Sequence, residues 1–218
     1  MNNIDEICEK YNIKNYTIND DGSIDVNGEV VLYDNGLTEL PLTFNKVTDY
    51  FDCAKNNLTT LKGSPKWIGG DFFCYKNNLT SLEFGPEYVE GSFNCSNNEL
   101  TNLVGSPLKI EGSFVCISNY LTDLTGSPRE VGNFFSCRHN YCLKSPKGCP
   151  EKLGEELDCF STPLGSIFND ADQHFLYTFN FYKIIKDNTV NLKRLKYVMD
   201  LYNQRIDLDE IEKYYRLV

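Results

Sequence analysis

No stretch of this chain holds the roughly 18 consecutive apolar residues that a membrane-crossing helix needs. Its opening residues, Met1-Asn-Asn-Ile-Asp-Glu, lack the basic segment and apolar core of a secretory signal, so the expected location is a cytoplasm. Histidine is scarce: His139 and His174 are the two present, and neither neighbours a serine or cysteine in a nucleophile motif. No glycine-rich loop is followed by the lysine that would cradle a phosphate. An enzyme is therefore not expected, nor a cofactor. Basic residues are also in deficit, 21 against 31 acidic ones, for a formal charge of −10. Direct binding to a nucleic-acid backbone needs clustered Lys and Arg. The one tight basic group is Lys193, Arg194 and Lys196, and a solvated helix face explains it.

What the chain does contain is a repeat. The pattern Phe-x-Cys-x-x-Asn-x-Leu-Thr-x-Leu-x-Gly-Ser-Pro-x-x-Ile/Val-x-Gly recurs through the middle of the sequence. Cys53, Cys74, Cys95, Cys116 and Cys137 are spaced 21 residues apart, as are Asn35, Asn56, Asn77, Asn98, Asn119 and Asn140. A unit of this length buries its apolar face only against copies of itself, which predicts a stacked solenoid with function on its surface. The alternation Phe51, Asp52, Cys53 is that of a strand with one buried face. The following asparagine can turn inward to satisfy backbone groups at the bend. Leu58, Leu61 and Ile68 carry apolar contacts round the back of the coil, and Gly63, Ser64 and Pro65 punctuate the turn. Copies begin at residues 30, 51, 72, 93, 114 and 135. The first lacks the cysteine and the Gly-Ser-Pro turn, the copy from 135 takes one extra residue, and a partial copy at 157–164 puts Thr162 in the asparagine place.

Phe51, Cys53 and Leu58 around Asn56 reproduce the core Leu-x-Leu-x-x-Asn-x-Leu with Phe and Cys in two leucine positions. Over residues 30–164 the chain resembles the short leucine-rich-repeat proteins of bacteriophages and bacteria. The resemblance implies an α/β repeat solenoid with one strand per repeat, strands about 4.8 Å apart and a parallel sheet on a concave face. It also implies a noncatalytic module that grips a protein. The family analogy extends to a phage-encoded inhibitor or adaptor acting on a host bacterial protein. Some bacterial relatives carry a ubiquitin-ligase domain behind the solenoid, but residues 166–218 contain no cysteine for a thioester route.

The chain divides into a first segment (1–29), the solenoid (30–165) and a tail (166–218). Ile4, Ile7, Cys8 and Tyr11 have helical spacing, and residues 16–26 read as two strands joined across Asp21-Gly22, together an N-terminal cap. The tail shows three helical patterns: Ala171, Phe175, Phe179 and Tyr182; Leu192, Leu195, Val198, Met199 and Tyr202; and Leu208, Ile211 and Tyr215. Asp170, Asn191 and Asp207 are their expected starts. The tail is read as a C-terminal cap that shields the last strand, with a partner-binding effector module as its rival.

The acidic excess sits on the first segment and the solenoid, which leaves a nucleic-acid mimic that inhibits a DNA- or RNA-acting enzyme as an alternative function. The nine cysteines do not read as disulfides, since the repeat places most of them at a core leucine position where a thiol packs as a small apolar group. Cys137, His139, Cys142 and Cys149 form the densest group of soft ligands. Cys137 belongs to the core ladder while His139 points outward, so they are not expected to converge on zinc.

Partner recognition is expected on the outward strand positions, because strand side chains alternate. Successive copies place there Asp52 and Ala54, Phe73 and Tyr75, Asn94 and Ser96, Val115 and Ile117, then Ser136 and Arg138. Phe73, Tyr75, Val115 and Ile117 are the expected apolar anchors, with Lys55, Lys76, Arg138 and His139 at the border.

Overall fold

A computed structural model describes residues 4–167, 171–172, 174–175, 178, 183–186 and 188–218. The repeat forms a β-solenoid of about six turns. Each turn contributes two short strands, and among the described residues these build two eight-stranded sheets. The first sheet runs through Val30–Val31, Phe51–Asp52, Phe72–Phe73, Phe93–Asn94, Phe114–Val115, Phe135–Ser136 and Glu156–Asp158, all parallel, with Phe51 opposite Phe72, Phe72 opposite Phe93 and so on. The second runs through Phe44–Val47, Trp67–Ile68, Tyr88–Val89, Lys109–Ile110, Glu130–Val131 and Lys152–Leu153.

This second sheet corrects the expectation of one sheet with an apolar back. Ile68, Val89, Ile110 and Val131 do face the core. Each, however, is the inward half of a two-residue strand whose preceding residue, Trp67, Tyr88, Lys109 or Glu130, faces out. Two residues are too few to display an alternation in sequence. Helices are few, and none is part of the repeat.

Register stacks like upon like. Phe51, Phe72, Phe93, Phe114 and Phe135 are wholly buried and form a column with neighbouring ring centroids 5.0–5.8 Å apart, continued at one end by Phe44 edge-on to Phe51. Beside it run Cys53 through Cys137 and Cys159, with Leu58, Leu79, Leu100, Leu121 and their partners closing the interior. Where coils touch, backbone meets backbone. A Cβ on Gly91 would lie 2.6 Å from the Gly70 carbonyl carbon and 2.7 Å from the Asp71 nitrogen, so only glycine fits.

Asparagine ties each turn to the one before. Asn98 Nδ2 donates to the carbonyls of Cys74 and Cys95, both at 3.0 Å, while its Oδ1 accepts the Leu79 amide at 3.0 Å. Asn77, Asn119 and Asn140 repeat the arrangement, and Asn56 reaches Leu32 and Cys53 at 2.8 and 3.0 Å. In the partial copy Thr162 takes over: its hydroxyl donates to the Cys159 carbonyl at 2.7 Å and accepts the Gly165 amide at 2.9 Å.

The first segment forms the expected helix, Ile4–Lys10, and a hairpin, Tyr16–Ile18 with Ile24–Val26, that adds to the edge of the second sheet. In the tail, Ala171–Asp172 is a strand antiparallel to Glu156–Leu157, so the first helical pattern fails at its start, while His174, Phe175 and Thr178 are helical; Asp170, Phe179 and Tyr182 lie outside the described residues. Leu192–Leu201 and Leu208–Glu212 are helices. They are capped as expected by Asn191, accepting the Arg194 amide at 2.9 Å, and by Asp207, accepting the Glu210 amide at 3.0 Å. Before and after them Ile185–Lys186, Thr189–Val190 and Arg216–Leu217 form a small sheet. The Tyr215 hydroxyl joins this tail to the solenoid by donating to the Lys144 carbonyl at 2.9 Å.

Replacing Asn98 with alanine orphans the Leu79 amide in the interior and removes one of two donors from each of the Cys74 and Cys95 carbonyls, which keep Asn77 and Asn119. The expected loss is about 2–4 kcal/mol, seen as a melting temperature lower by roughly 5–15 °C. Asn35→Ala is the control: Asn35 is exposed and its side chain donates only to the Tyr33 carbonyl, so its loss should stay below about 1 kcal/mol. Equal effects in thermal denaturation would show that the ladder does not hold the stack.

Candidate functional site

Strand alternation builds the outer face of the first sheet. One row runs Asp52, Phe73, Asn94, Val115, Ser136, Asp158 across paired strands. The neighbouring row is Ala54, Tyr75, Ser96, Ile117, Arg138, Phe160. Phe73, Tyr75, Val115 and Ile117 all lie outside the core column, but each is half-buried rather than freely exposed. The register sets each outward side chain beside the same position of the adjacent turns, and Phe73 also meets Tyr75 edge-on at 6.3 Å.

Ser96 must be removed from the expected contact set. It is 5% exposed, and its hydroxyl oxygen accepts the Ile117 amide at 3.1 Å. Ala54 and Ser136 are likewise buried, because a small side chain between larger neighbours is covered by them. Asn94 is half-buried and caps its own turn, its Oδ1 accepting the Ser96 amide at 3.0 Å. Asp52 does the same for Ala54 at 2.9 Å.

The border is charged. Arg138 is exposed, pairs with Asp158 and lies 5.8 Å from the Phe160 ring centroid. Lys55 sits over the Tyr33 ring at 4.9 Å, and its hydrogen bond to that tyrosine holds its pKa above the usual lysine value. Lys76 is exposed; His139 is partly covered, with its Nδ1 3.5 Å from the Tyr141 hydroxyl. Lys55, Lys76 and His139 share one backbone role, each holding the left-handed φ near +55° that turns the chain into the asparagine.

Cys137 is buried in the core ladder whereas Cys142 is exposed, so the structure does not bring them together. Among the described residues no three His, Cys, Asp or Glu side chains are grouped to hold a metal ion. Burial pushes the Cys53, Cys74, Cys95, Cys116 and Cys137 thiols well above their ordinary value, which removes the thiolate that chemistry would need. Among the described residues no helix is long and apolar enough to cross a membrane.

Two features escaped the sequence reading. The outer row of the second sheet stacks Lys46, Trp67 and Tyr88: the lysine lies 4.4 Å from the Trp67 ring centroid, and the two rings are nearly parallel at 6.2 Å. The row continues through Lys109 and Glu130 to Lys152, which pairs with Glu130 at 2.6 Å.

The second feature lies on the turn edge. Gly63, Gly105, Gly126 and Gly148 hold the third position of the turn at φ +86° to +97°, and Phe84 holds it at +66°. The Gly85 amide still closes that turn on the Leu82 carbonyl at 3.0 Å. A bulky residue in this conformation costs on the order of 1–3 kcal/mol. The ring gains little burial in return, since Phe84 is 67% exposed. With Val104 and the 70%-exposed Leu108 it lines an open groove rimmed by Glu83 and Glu87. Aligning the copies at their Gly-Ser-Pro turns would have exposed the exception.

Compared with protein-family models, curated proteins and solved structures, the chain matches none.

Asp52 offers a pH test. Partial burial raises its carboxyl pKa, against the opposing pull of the Ala54 amide. The folded chain therefore holds this proton more tightly than the unfolded one. Its contribution is favourable below the ordinary value of about 4 and is lost as pH rises through the raised folded value. Asp52→Asn, which copies Asn94 two turns away, should modestly raise the melting temperature at neutral pH and change nothing below about pH 4. An equal shift at both pH values would assign the effect to packing.

The thiols give a second test. Titration of the native protein with a thiol reagent should label Cys142 fast, Cys149 slowly, and the six solenoid-core cysteines only after unfolding.

Proposed function

We propose that this chain is a noncatalytic protein-binding module of the leucine-rich-repeat type, whose outer first-sheet face grips a partner protein. The single observation that carries the reading is the composition of that face. Apolar pairs, Phe73 with Tyr75 and Val115 with Ile117, alternate with the polar strands of Asp52 and Asn94, all partly accessible. Anchors of this kind, half-buried and therefore already held in place, lose little side-chain freedom on binding and suit a hot spot. Arg138, Lys55, Lys76 and His139 at the border orient the approach. The helix and hairpin of the first segment and the tail serve as caps on the solenoid ends. By family analogy the partner is a host bacterial protein and the role is inhibition or adaptation.

The test is affinity capture from a bacterial lysate with the wild type and with a Phe73→Ala/Tyr75→Ala variant. The variant should lose the captured protein, with affinity falling about 10- to 100-fold, while its melting temperature drops by no more than a few degrees. A collapse of stability would make these residues structural. Capture that disappears in moderate salt, yet survives the double substitution, would favour the acidic mimic instead.

A further inference from the structure

We propose that the turn edge around Phe84 is a self-association site that receives the outward stripe of helix Leu192–Leu201 from a second copy of this chain. The starting point is a residue that works against its own turn. Four copies of the turn put glycine at the left-handed position; the fifth puts Phe84 there, strained and largely in solvent. Packing within the chain does not repay that strain, which points to a contact the monomer lacks. Leu108 and Val104 extend the apolar surface along the same groove, and its only charged lining residues are Glu83 and Glu87. The complementary occupant is therefore apolar with basic flanks.

Helix Leu192–Leu201 has that character. Its buried residues are Leu195, Val198 and Met199. On the opposite side Lys193, Tyr197 and Leu201 follow one another at intervals of four, one above the next, with Lys196 alongside. Tyr197 and Leu201 are 50% and 57% exposed. Asp200 shares the face, one acid against two lysines. The wider charge distribution agrees: residues 1–128 carry eighteen acidic and eight basic side chains, residues 129–218 thirteen of each. The groove lies on the acidic part and the helix on the balanced part.

Groove and helix are different patches, so the contact is heterologous. Each copy offers one of each, and association can continue beyond two. One helix stripe in one groove buries less than the roughly 1,600 Å² of a standard interface, so the dissociation constant should be micromolar or weaker. This surface is separate from the first-sheet face, and either can fail without the other.

The test is sedimentation velocity with light scattering on the full chain, from about 5 μM to about 1 mM. The average mass should rise with concentration and fall with added salt. Phe84→Gly restores the residue of the other turns. It should weaken association at least about tenfold while the melting temperature holds or rises. Leu201→Lys should weaken it similarly from the other side. Mixed together, the two variants should form a dimer that grows no further, because one retains its helix and the other its groove. The proposal is overturned by a wild type that stays monomeric throughout, by association indifferent to both substitutions, or by variants that do not pair. A melting temperature lowered by Phe84→Gly would also overturn it, by making Phe84 a packing residue. Self-association that persists in Phe73→Ala/Tyr75→Ala would show that the two surfaces act independently.

Discussion

The asparagine ladder is the constraint on which the rest of this structure depends. Each bend between strand and leucine segment would bury carbonyls and an amide with no partner in the sheets. Asn56, Asn77, Asn98, Asn119 and Asn140 satisfy them, and they do so partly across the step between turns. An amide side chain is suited to this because it carries donor and acceptor together. The ladder fixes the rise and register of successive coils at one stroke. A slip would strand buried polar groups in every turn, and such groups are expensive in a dry interior.

Once register is fixed, identity of position becomes identity of environment. The phenylalanine column and the cysteine column follow, each residue packed against its own counterpart above and below. The same logic governs the outside. Outward residues of adjacent turns also stack, which is why Phe73, Tyr75, Val115 and Ile117 are half-covered and why Lys46, Trp67 and Tyr88 line up. A solenoid surface is thus a set of parallel rows, and its chemistry differs from turn to turn only as variation along a row.

Two kinds of variation stand out. On the first-sheet face the apolar pairs alternate with polar ones, a pattern the strands tolerate at little cost. On the turn edge the exception is costly, because Phe84 occupies a conformation that favours glycine. The first kind is compatible with drift among exposed positions; the second works against the fold, and so carries more weight as evidence of use. Neither surface involves the core thiols, which burial holds in their protonated form.

The sequence by itself determined the repeat length, the inward columns of Phe, Cys and Leu, the ladder asparagines, the hairpin across Asp21-Gly22 and the caps at Asn191 and Asp207. Each of these rests on a local rule or on a pattern repeated several times, so the signal accumulates. Only the tertiary structure decided the second sheet, the small sheet joining Ile185–Lys186 and Thr189–Val190 to Arg216–Leu217, the burial of Ser96 and the exposure of Phe84. Those depend on what lies across a turn or on the neighbouring coil. Two-residue strands carry no periodicity of their own, and whether a side chain on a stacked surface is covered is settled by the residue twenty-one positions away.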